Sequence, residues 1–317
     1  MKNEIVLKRL AIIKHLFRIG VEQSYQVETV AAFSILSFHD SIEMYLKLLA
    51  EEKNIKSDKL NFLDYWTQIP SLTLKESMRN LNARRVNIKH KGLLPSKSDI
   101  EISRVNAHDF FDQNTKTQFG IEFSEISLFS LISYENVRSQ LEEAEKALNG
   151  NNFEDSIEKA AIAFHELLYT YENSKSDYLS NSPFFFGKDL TFQSSFHMGI
   201  REDRDMARFV DNVRDSLDGI QKAIKIISFG IDYKRFAKFK LLTPKVTRMQ
   251  NGHHVSEIWR KKKWTKQNCQ FCIDFVLDSA LKLQEFDFDI AEIEEPRTFE
   301  PVFVEKESKA GKKAGNK

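Results

Sequence analysis

The fold is decided by a long apolar stretch near the start of the chain, VETVAAFSILSFHDSIEMYLKLLAEEK, residues 27–53. Its large apolar residues recur every three to four positions, which is the spacing of one face of an α-helix. They are Val30, Phe33, Ile35, Leu36, Phe38, Ile42, Tyr45, Leu46 and Leu49. This wide stripe predicts an amphipathic helix, the clearest one in the sequence.

Three more helices are predicted around this one. The first covers residues 4–20 and ends at Gly20, the next covers 73–91, and the last covers 98–113 with Ser98 as its N-cap. Residues 114–120 are predicted to break the chain. Four helices within about 115 residues are typical of an antiparallel helical bundle.

The second half of the chain is also predicted to be mainly helical. Residues 135–148 and 153–174 flank the turn sequence Asn149-Gly150-Asn151-Asn152, which indicates a helical hairpin. Further helices are expected over residues 202–227 and 265–285. Two strands flanking Asn251-Gly252 predict one small β-hairpin, because this dipeptide favours the tightest hairpin turns.

These elements predict a mainly α protein in three parts. Residues 1–118 form a helical bundle, and residues 119–295 form a second helical domain with the β-hairpin. Residues 296–317 form a basic tail that is expected to be disordered. Phe38-His39-Asp40 and Phe164-His165-Glu166 echo one another, which suggests that the second domain is a degenerate copy of the bundle.

Composition limits the functional classes. The net charge is +1, so any contact with nucleic acid must come from local basic patches. No apolar run approaches the roughly 18 residues that a membrane span needs. The chain has two cysteines, Cys269 and Cys272, and no recognisable secretory signal, from which we expect free thiols and a cytoplasmic location.

The candidate site is Arg85-Val86-Asn87-Ile88-Lys89-His90-Lys91-Gly92, at the end of a predicted helix. Histidine transfers protons near neutral pH, and arginine is a permanent cation whose donors fit phosphate oxygens. Arg84, Asn87 and His90 fall on one arc of a straight helix, and Arg85 lies beside it. The candidate catalytic residues are therefore Arg85, His90, Arg84 and Asn87, and Lys89 and Lys91 are candidates for RNA binding.

This stretch resembles the Arg-x4–6-His signature of the HEPN superfamily, helical bundles of which many are ribonucleases of toxins and antiviral systems. The resemblance covers residues 1 to about 115 and includes the closing sequence His90-Lys91-Gly92. The preceding helix, which carries His39-Asp40-Ser41-Ile42-Glu43-Met44-Tyr45-Leu46-Lys47, is similar to the acidic helix of that family. Active members place a polar residue directly after the arginine, whereas Val86 stands there in this chain.

The resemblance implies a metal-independent endoribonuclease without a cofactor. His90 would act as general base or general acid, and Arg85 or Arg84 would stabilise the charge on phosphorus-bound oxygens. Because one histidine cannot easily serve both roles, the resemblance implies a homodimer or a pairing with the second half. It also implies a regulatory partner or antitoxin.

Other functions stay open at this point. The same bundle could belong to a catalytically inactive interaction or scaffold protein, or to the partner of a nucleotide-binding or transferase enzyme. Cys269, Cys272, His253 and His254 offer four zinc ligands, but helical cysteines and adjacent histidines are a poor arrangement for zinc, so no metal is expected. His165-Glu166 begins like a zinc-protease helix but lacks the second histidine four residues on.

Overall fold

The computed structural model describes residues 4–176, 182–187, 190, 193–200, 203–249, 254–257, 263–285 and 287–293. These residues are mainly helical, and none of their helices combines the length and apolar character needed to cross a bilayer. The α-helices are α1 (Glu4–Ser24), α2 (Glu28–Glu52), α3 (Tyr65–Gln68), α4 (Lys75–Lys91), α5 (Lys97–Phe119), α6 (Glu135–Asn149), α7 (Phe153–Ser174), α8 (Arg204–Ser228), α9 (Tyr233–Leu242) and α10 (Lys266–Gln284).

Helices α1 and α2 form a helical hairpin joined by residues 25–27. The prediction that α1 ends at Gly20 was wrong, because the helix continues to Ser24. Gly20 instead allows a close approach between the two helices. A Cβ atom at this position would lie 2.8 Å from two ring atoms of Phe38 in α2. The glycine is therefore required for packing and does not stop the helix.

Helix α5 begins with a capping box. The Oγ of Ser96 accepts a hydrogen bond from the backbone N–H of Asp99 at 3.2 Å, and the Asp99 carboxylate accepts one from the Ser96 N–H at 3.3 Å. Ser98, the predicted N-cap, is therefore inside the helix. Ser98 and Glu101 have the spacing of a second possible capping box. The helix starts at the earlier one because Asp99 also accepts a hydrogen bond from Arg84 of α4.

Helix α5 also continues through the predicted break at residues 114–120 and ends at Phe119. Asn114 is fully buried, yet its polar atoms are satisfied. Its amide nitrogen donates to the Phe110 carbonyl at 2.8 Å and to Thr73 Oγ1 at 3.1 Å, and its Oδ1 accepts from the Thr73 backbone N–H at 3.1 Å. These bonds make a polar residue stable inside the helix, so the break was wrongly predicted.

Helices α6 and α7 form a second helical hairpin. They start at residues 135 and 153, as predicted, and the Asn152 side chain caps α7 by accepting a hydrogen bond from the Asp155 N–H at 3.4 Å. Helix α10 packs against both helices of this hairpin. The Phe164 ring of α7 lies 5.0 Å from that of Phe239 in α9 and 5.2 Å from that of Phe275 in α10, centroid to centroid.

Two short strands, β1 (Lys245–Arg248) and β2 (His254–Glu257), pair antiparallel. Lys245 is opposite Glu257, and Arg248 is opposite His254. The expected Asn251-Gly252 turn lies outside the described residues. Strand β1 packs on α7, and this contact places the pair of strands beside the middle of that helix.

The two halves of the chain are packed together. One hydrophobic cluster contains buried residues from both halves. The Lys14 ammonium of α1 donates to the carbonyl oxygens of Ser124 and Ile126, each at 2.7 Å, and Arg18 of α1 forms an ion pair with Asp278 of α10. The predicted boundary at residue 118 falls in the last turn of α5, and the tail over 296–317 lies outside the described residues.

We expect Gly20→Ala to lower the free energy of unfolding by about 1–3 kcal/mol, because the added methyl group collides with a packed ring. Phe38 is fully buried, and its ring centroid lies 5.7 Å from that of Phe17, so it cannot move away easily. The collision outweighs the gain of roughly 0.5–1 kcal/mol that alanine normally brings inside a helix. Urea denaturation followed by circular dichroism measures the change.

Gly219→Ala in α8 is the matched control, since a Cβ atom there meets nothing within 4 Å. This variant is expected to be as stable as the wild type or slightly more stable. If both substitutions had the same effect on the urea midpoint, the close approach at Gly20 would not be the cause.

Candidate functional site

All six candidate residues lie on α4, and its C-terminal end is well defined. Gly92 adopts a φ of +64°, a left-handed conformation that glycine tolerates best, and its N–H donates to the Ile88 carbonyl at 3.2 Å. The last turn presents three exposed side chains, Lys89, His90 and Lys91. Cationic side chains are favoured here by the negative end of the helix dipole.

Arg84 is turned toward α5. Its Nε and Nη2 donate to Asp99 Oδ1 at 3.0 and 2.8 Å, and its Nη1 donates to Ser103 Oγ at 3.3 Å. The hydrogen bond from Ser96, followed by the one from Arg84, holds the pKa of the Asp99 carboxyl below its usual value. Most of the guanidinium donors of Arg84 are therefore occupied within the bundle.

The positive charge of Arg85 influences side chains of α2. Its Nε is buried and has no hydrogen-bond partner among the described residues. Burial lowers the pKa of His39, and the positive charge of Arg85 is the second cause of this shift. The hydrogen bond from Lys47 lowers the pKa of Glu43, and Arg85 contributes to that shift as well. Arg84 is thus hydrogen-bonded to α5, whereas the charge of Arg85 influences the titration of two side chains of α2.

His39 is the buried centre of this contact, since only 2% of the residue is exposed. Its Nε2 lies 3.1 Å from Asn82 Oδ1, and its Nδ1 lies 3.5 Å from an Asp40 oxygen and 3.8 Å from a Glu43 oxygen. The imidazole also stacks on Phe62, with ring centroids 4.3 Å apart. The sequence analysis missed Asn82, although it lies three residues before Arg85 and hence on the same face of α4.

The candidates therefore divide into two groups. Arg84, Arg85 and Asn87 are half-buried, and Arg84 is hydrogen-bonded to α5. His90, Lys89 and Lys91 are exposed on the last turn. The catalytic and RNA-binding roles of these residues stay predictions.

A second cluster of polar side chains lies on α7 and the paired strands. The Glu166 carboxylate accepts a hydrogen bond from His254 Nε2 at 2.7 Å, and Arg248 Nε lies 3.3 Å from the same oxygen. His165 lies beside them, with its ring 5.6 Å from that of His254. Burial, followed by the nearby His254, lowers the pKa of His165. The sequence analysis had named His165-Glu166 and, separately, His254 as a possible zinc ligand beside the two cysteines. It did not bring them together, because His254 lies 88 positions after Glu166.

Comparisons with models of protein families, with curated proteins and with solved structures found no match for this chain. Over the described residues, the fold itself defines a mainly α-helical protein with two helical hairpins and one pair of strands.

We expect the protein to lose stability when the pH falls below about 6.5, the usual pKa of histidine. A folded-state pKa below the unfolded value means that the unfolded chain binds protons more readily. The stabilising contribution of His39 is therefore complete above that pH and is lost as the pH falls toward the folded pKa. The slope reaches at most about 1.4 kcal/mol per pH unit for each such histidine.

Urea midpoints at pH 7.5 and 5.5 test this expectation. His39→Gln removes the titrating group, so this variant should lose less stability than the wild type on acidification. His108→Gln is the control, because His108 is largely exposed on α5. An equal loss for the wild type and His39→Gln would show that His39 does not cause the pH dependence.

Proposed function

We propose that this protein is a metal-independent endoribonuclease of the HEPN type, which acts as a toxin or as an antiviral defence effector. The placement of His90 carries the proposal: an exposed imidazole on the last turn of α4, between Lys89 and Lys91 and five residues after Arg85. An exposed imidazole can exchange protons with a substrate near neutral pH, and flanking cations attract RNA phosphates.

The proposed reaction uses the RNA itself as nucleophile. One His90 removes the proton of a ribose 2′-hydroxyl, whose oxygen attacks the adjacent phosphorus. The bond to the 5′-oxygen of the next nucleotide breaks, and that oxygen receives a proton from a second imidazole. The products are a 2′,3′-cyclic phosphate and a 5′-hydroxyl. Arg85 stabilises the charge that develops on the non-bridging oxygens.

The environment of the two arginines supports Arg85 over Arg84 in this role. Arg84 already donates to Asp99 and Ser103, whereas the buried Nε of Arg85 has no partner among the described residues. Asn87 would supply the polar group that the family places directly after the arginine, where this chain has Val86. The half-buried position of Asn87 allows a contact with a substrate that approaches the exposed turn.

We expect the purified wild type to cleave single-stranded RNA in EDTA, and His90→Ala and Arg85→Ala each to reduce the rate at least about 100-fold. This magnitude is the lower end of what a general acid or base usually contributes. Gel electrophoresis measures the rate, and mass spectrometry of the fragments identifies the cyclic phosphate.

Two substitutions serve as matched controls for this assay. Arg79→Ala removes an exposed arginine from the first half of α4, and His108→Ala removes an exposed histidine from α5. Both should cleave as the wild type does. Cleavage that survives both His90→Ala and Arg85→Ala, or that stops in EDTA, would refute the proposal.

The proposal requires two imidazoles, and α8 offers a surface through which two copies can associate. Seven apolar residues repeat along α8 at the a and d positions of a heptad pattern. We call them the α8 stripe: Met206, Val210, Val213, Leu217, Ile220, Ile224 and Ile227. Six of them are 40–60% exposed, whereas the opposite side of α8 is partly covered by the protein itself, with Ser195 donating two hydrogen bonds to Asp211.

We propose that the α8 stripe pairs with the same stripe of a second copy, giving a homodimer. The positions that flank the stripe are Ala207, Phe209, Arg214, Ser216, Gln221, Ala223 and Ser228. Arg214 is the only charged residue among them, and its guanidinium is paired with Asp215 at 2.6 Å. Two copies of α8 therefore meet without like-charge repulsion at the seam.

Leu217→Glu should convert the dimer to a monomer, because it places a charge in the middle of the apolar seam. Analytical ultracentrifugation of the full chain measures the mass. Asn212→Glu adds the same charge to an exposed position outside the stripe and should leave the dimer intact. A monomeric wild type, or a dimer that persists in Leu217→Glu, would show that the stripe does not hold two copies together. A regulatory partner or antitoxin would then be the occupant to test.

The second candidate function is a catalytically inactive interaction protein built on the same bundle. The observation that favours it is the engagement of Arg84 with Asp99 and Ser103 of α5, since these hydrogen bonds explain that arginine without a substrate. This alternative predicts a stable dimer without RNA cleavage. In either case we propose a cytoplasmic location, in which the buried thiols of Cys269 and Cys272 stay reduced.

A further inference from the structure

The cluster on α7 and β2 contains three side chains that can ligate a metal ion. One ligand atom from each of His165, Glu166 and His254 lies within 4.8 Å of the other two. Zinc bonds to nitrogen and oxygen are about 2.0–2.2 Å long, so tetrahedral ligand atoms lie about 3.3 Å apart. The three groups can reach this geometry through small side-chain rotations.

The cluster is also more buried than a surface group of charges. Only 8% of the Glu166 side chain and 14% of the His254 side chain are exposed. His165 Nδ1 is buried and has no hydrogen-bond partner among the described residues. A neutral imidazole binds a metal ion through the nitrogen that carries no proton, and a nitrogen without a hydrogen-bond partner is available for such a bond.

We propose that His165, Glu166 and His254 bind one zinc ion. Two imidazoles and one carboxylate form a ligand set of borderline softness, which suits zinc better than magnesium or calcium. Three protein ligands leave the fourth tetrahedral position for a water molecule, the arrangement of zinc sites that are open to a substrate. The ion takes the place of the hydrogen bond between His254 Nε2 and Glu166 Oε1.

Arg248 fits this site as an outer partner of the carboxylate. Its guanidinium lies above the Tyr169 ring, 4.0 Å from the ring centroid, and its Nε is 3.3 Å from Glu166 Oε1. The two groups form an ion pair, although the Arg248 Nε makes no hydrogen bond among the described residues. Ligating carboxylates commonly have an outer partner, which orients the oxygen that faces the metal. Arg248 therefore limits the motion of Glu166 and does not need to leave when the ion binds.

A similar set of groups on α2, His39, Asp40 and Glu43, is a poorer site. All three come from one and a half turns of a single helix, and His39 Nε2 is already engaged by Asn82. Glu43 is paired with Lys47 at 2.7 Å, and half of the Asp40 side chain is exposed. This set provides a control within the same molecule.

The test is isothermal titration calorimetry, in which zinc chloride is added to the full chain after EDTA treatment and dialysis. We expect one zinc ion per chain for the wild type and for Asp40→Asn. Glu166→Gln and His254→Gln should each weaken binding at least tenfold. Cobalt chloride as a second probe should give the visible absorption bands of tetrahedral Co²⁺ with the wild type and with Asp40→Asn, but not with Glu166→Gln or His254→Gln.

Two further measurements keep the result decisive. Zinc should raise the melting temperature of the wild type but not that of Glu166→Gln, because only a folded site with all ligands gains from binding. Circular dichroism in EDTA checks that each variant is folded, and His254→Gln, on a short strand, replaces Glu166→Gln if the latter fails to fold. The absence of zinc binding, or binding that is retained in both ligand variants or lost in Asp40→Asn, would overturn the proposal.

Discussion

The close approach of α1 to α2 at Gly20 is the constraint on which the N-terminal half depends. With no side chain at this position, the backbone of α1 lies against the Phe38 ring, and that contact fixes how α2 is rotated. Because adjacent helical residues are about 100° apart, fixing Phe38 also fixes His39, which faces α4 and meets Asn82. The contact between His39 and Asn82 of α4 therefore depends on a glycine in α1.

Two imidazoles are shielded from solvent, His39 fully and His165 partly, and their surroundings decide what each can do. Burial lowers the pKa of His39 and of His165, so both are neutral at physiological pH. His39 Nε2 has a partner in Asn82, so its role in the bundle is that of a hydrogen-bonded linker between helices. His165 Nδ1 has no such partner among the described residues, and this difference makes the second cluster the better candidate for a ligand. The echo of sequence between the two histidines therefore does not imply the same chemistry.

Local sequence patterns predicted the helices. Contacts between residues far apart in the chain determined where α5 ends and which polar side chains cluster. The apolar stripe of α2 and the turn at residues 149–152 were sufficient to place α2, α6 and α7 within one residue at each end. Asparagine is a residue type common in loops, but Thr73, 41 positions earlier, forms hydrogen bonds with the Asn114 side chain inside α5. The pairing of Glu166 with His254 spans 88 positions. No local spacing could indicate these contacts, whereas the Arg85 to His90 motif was visible because it lies on one helix.

Arg84 and Arg85 show why a sequence motif and a structural role are difficult to separate on α4. Two adjacent residues point in different directions: Arg84 is hydrogen-bonded to α5, and the charge of Arg85 influences side chains of α2. A bundle without enzymatic activity has the same use for the bonds of Arg84. His90 differs, because it has no hydrogen bond or ion pair within the described residues and lies exposed on the last turn of α4. Its replacement should leave stability unchanged, so any loss of function at His90 reports on chemistry and not on folding.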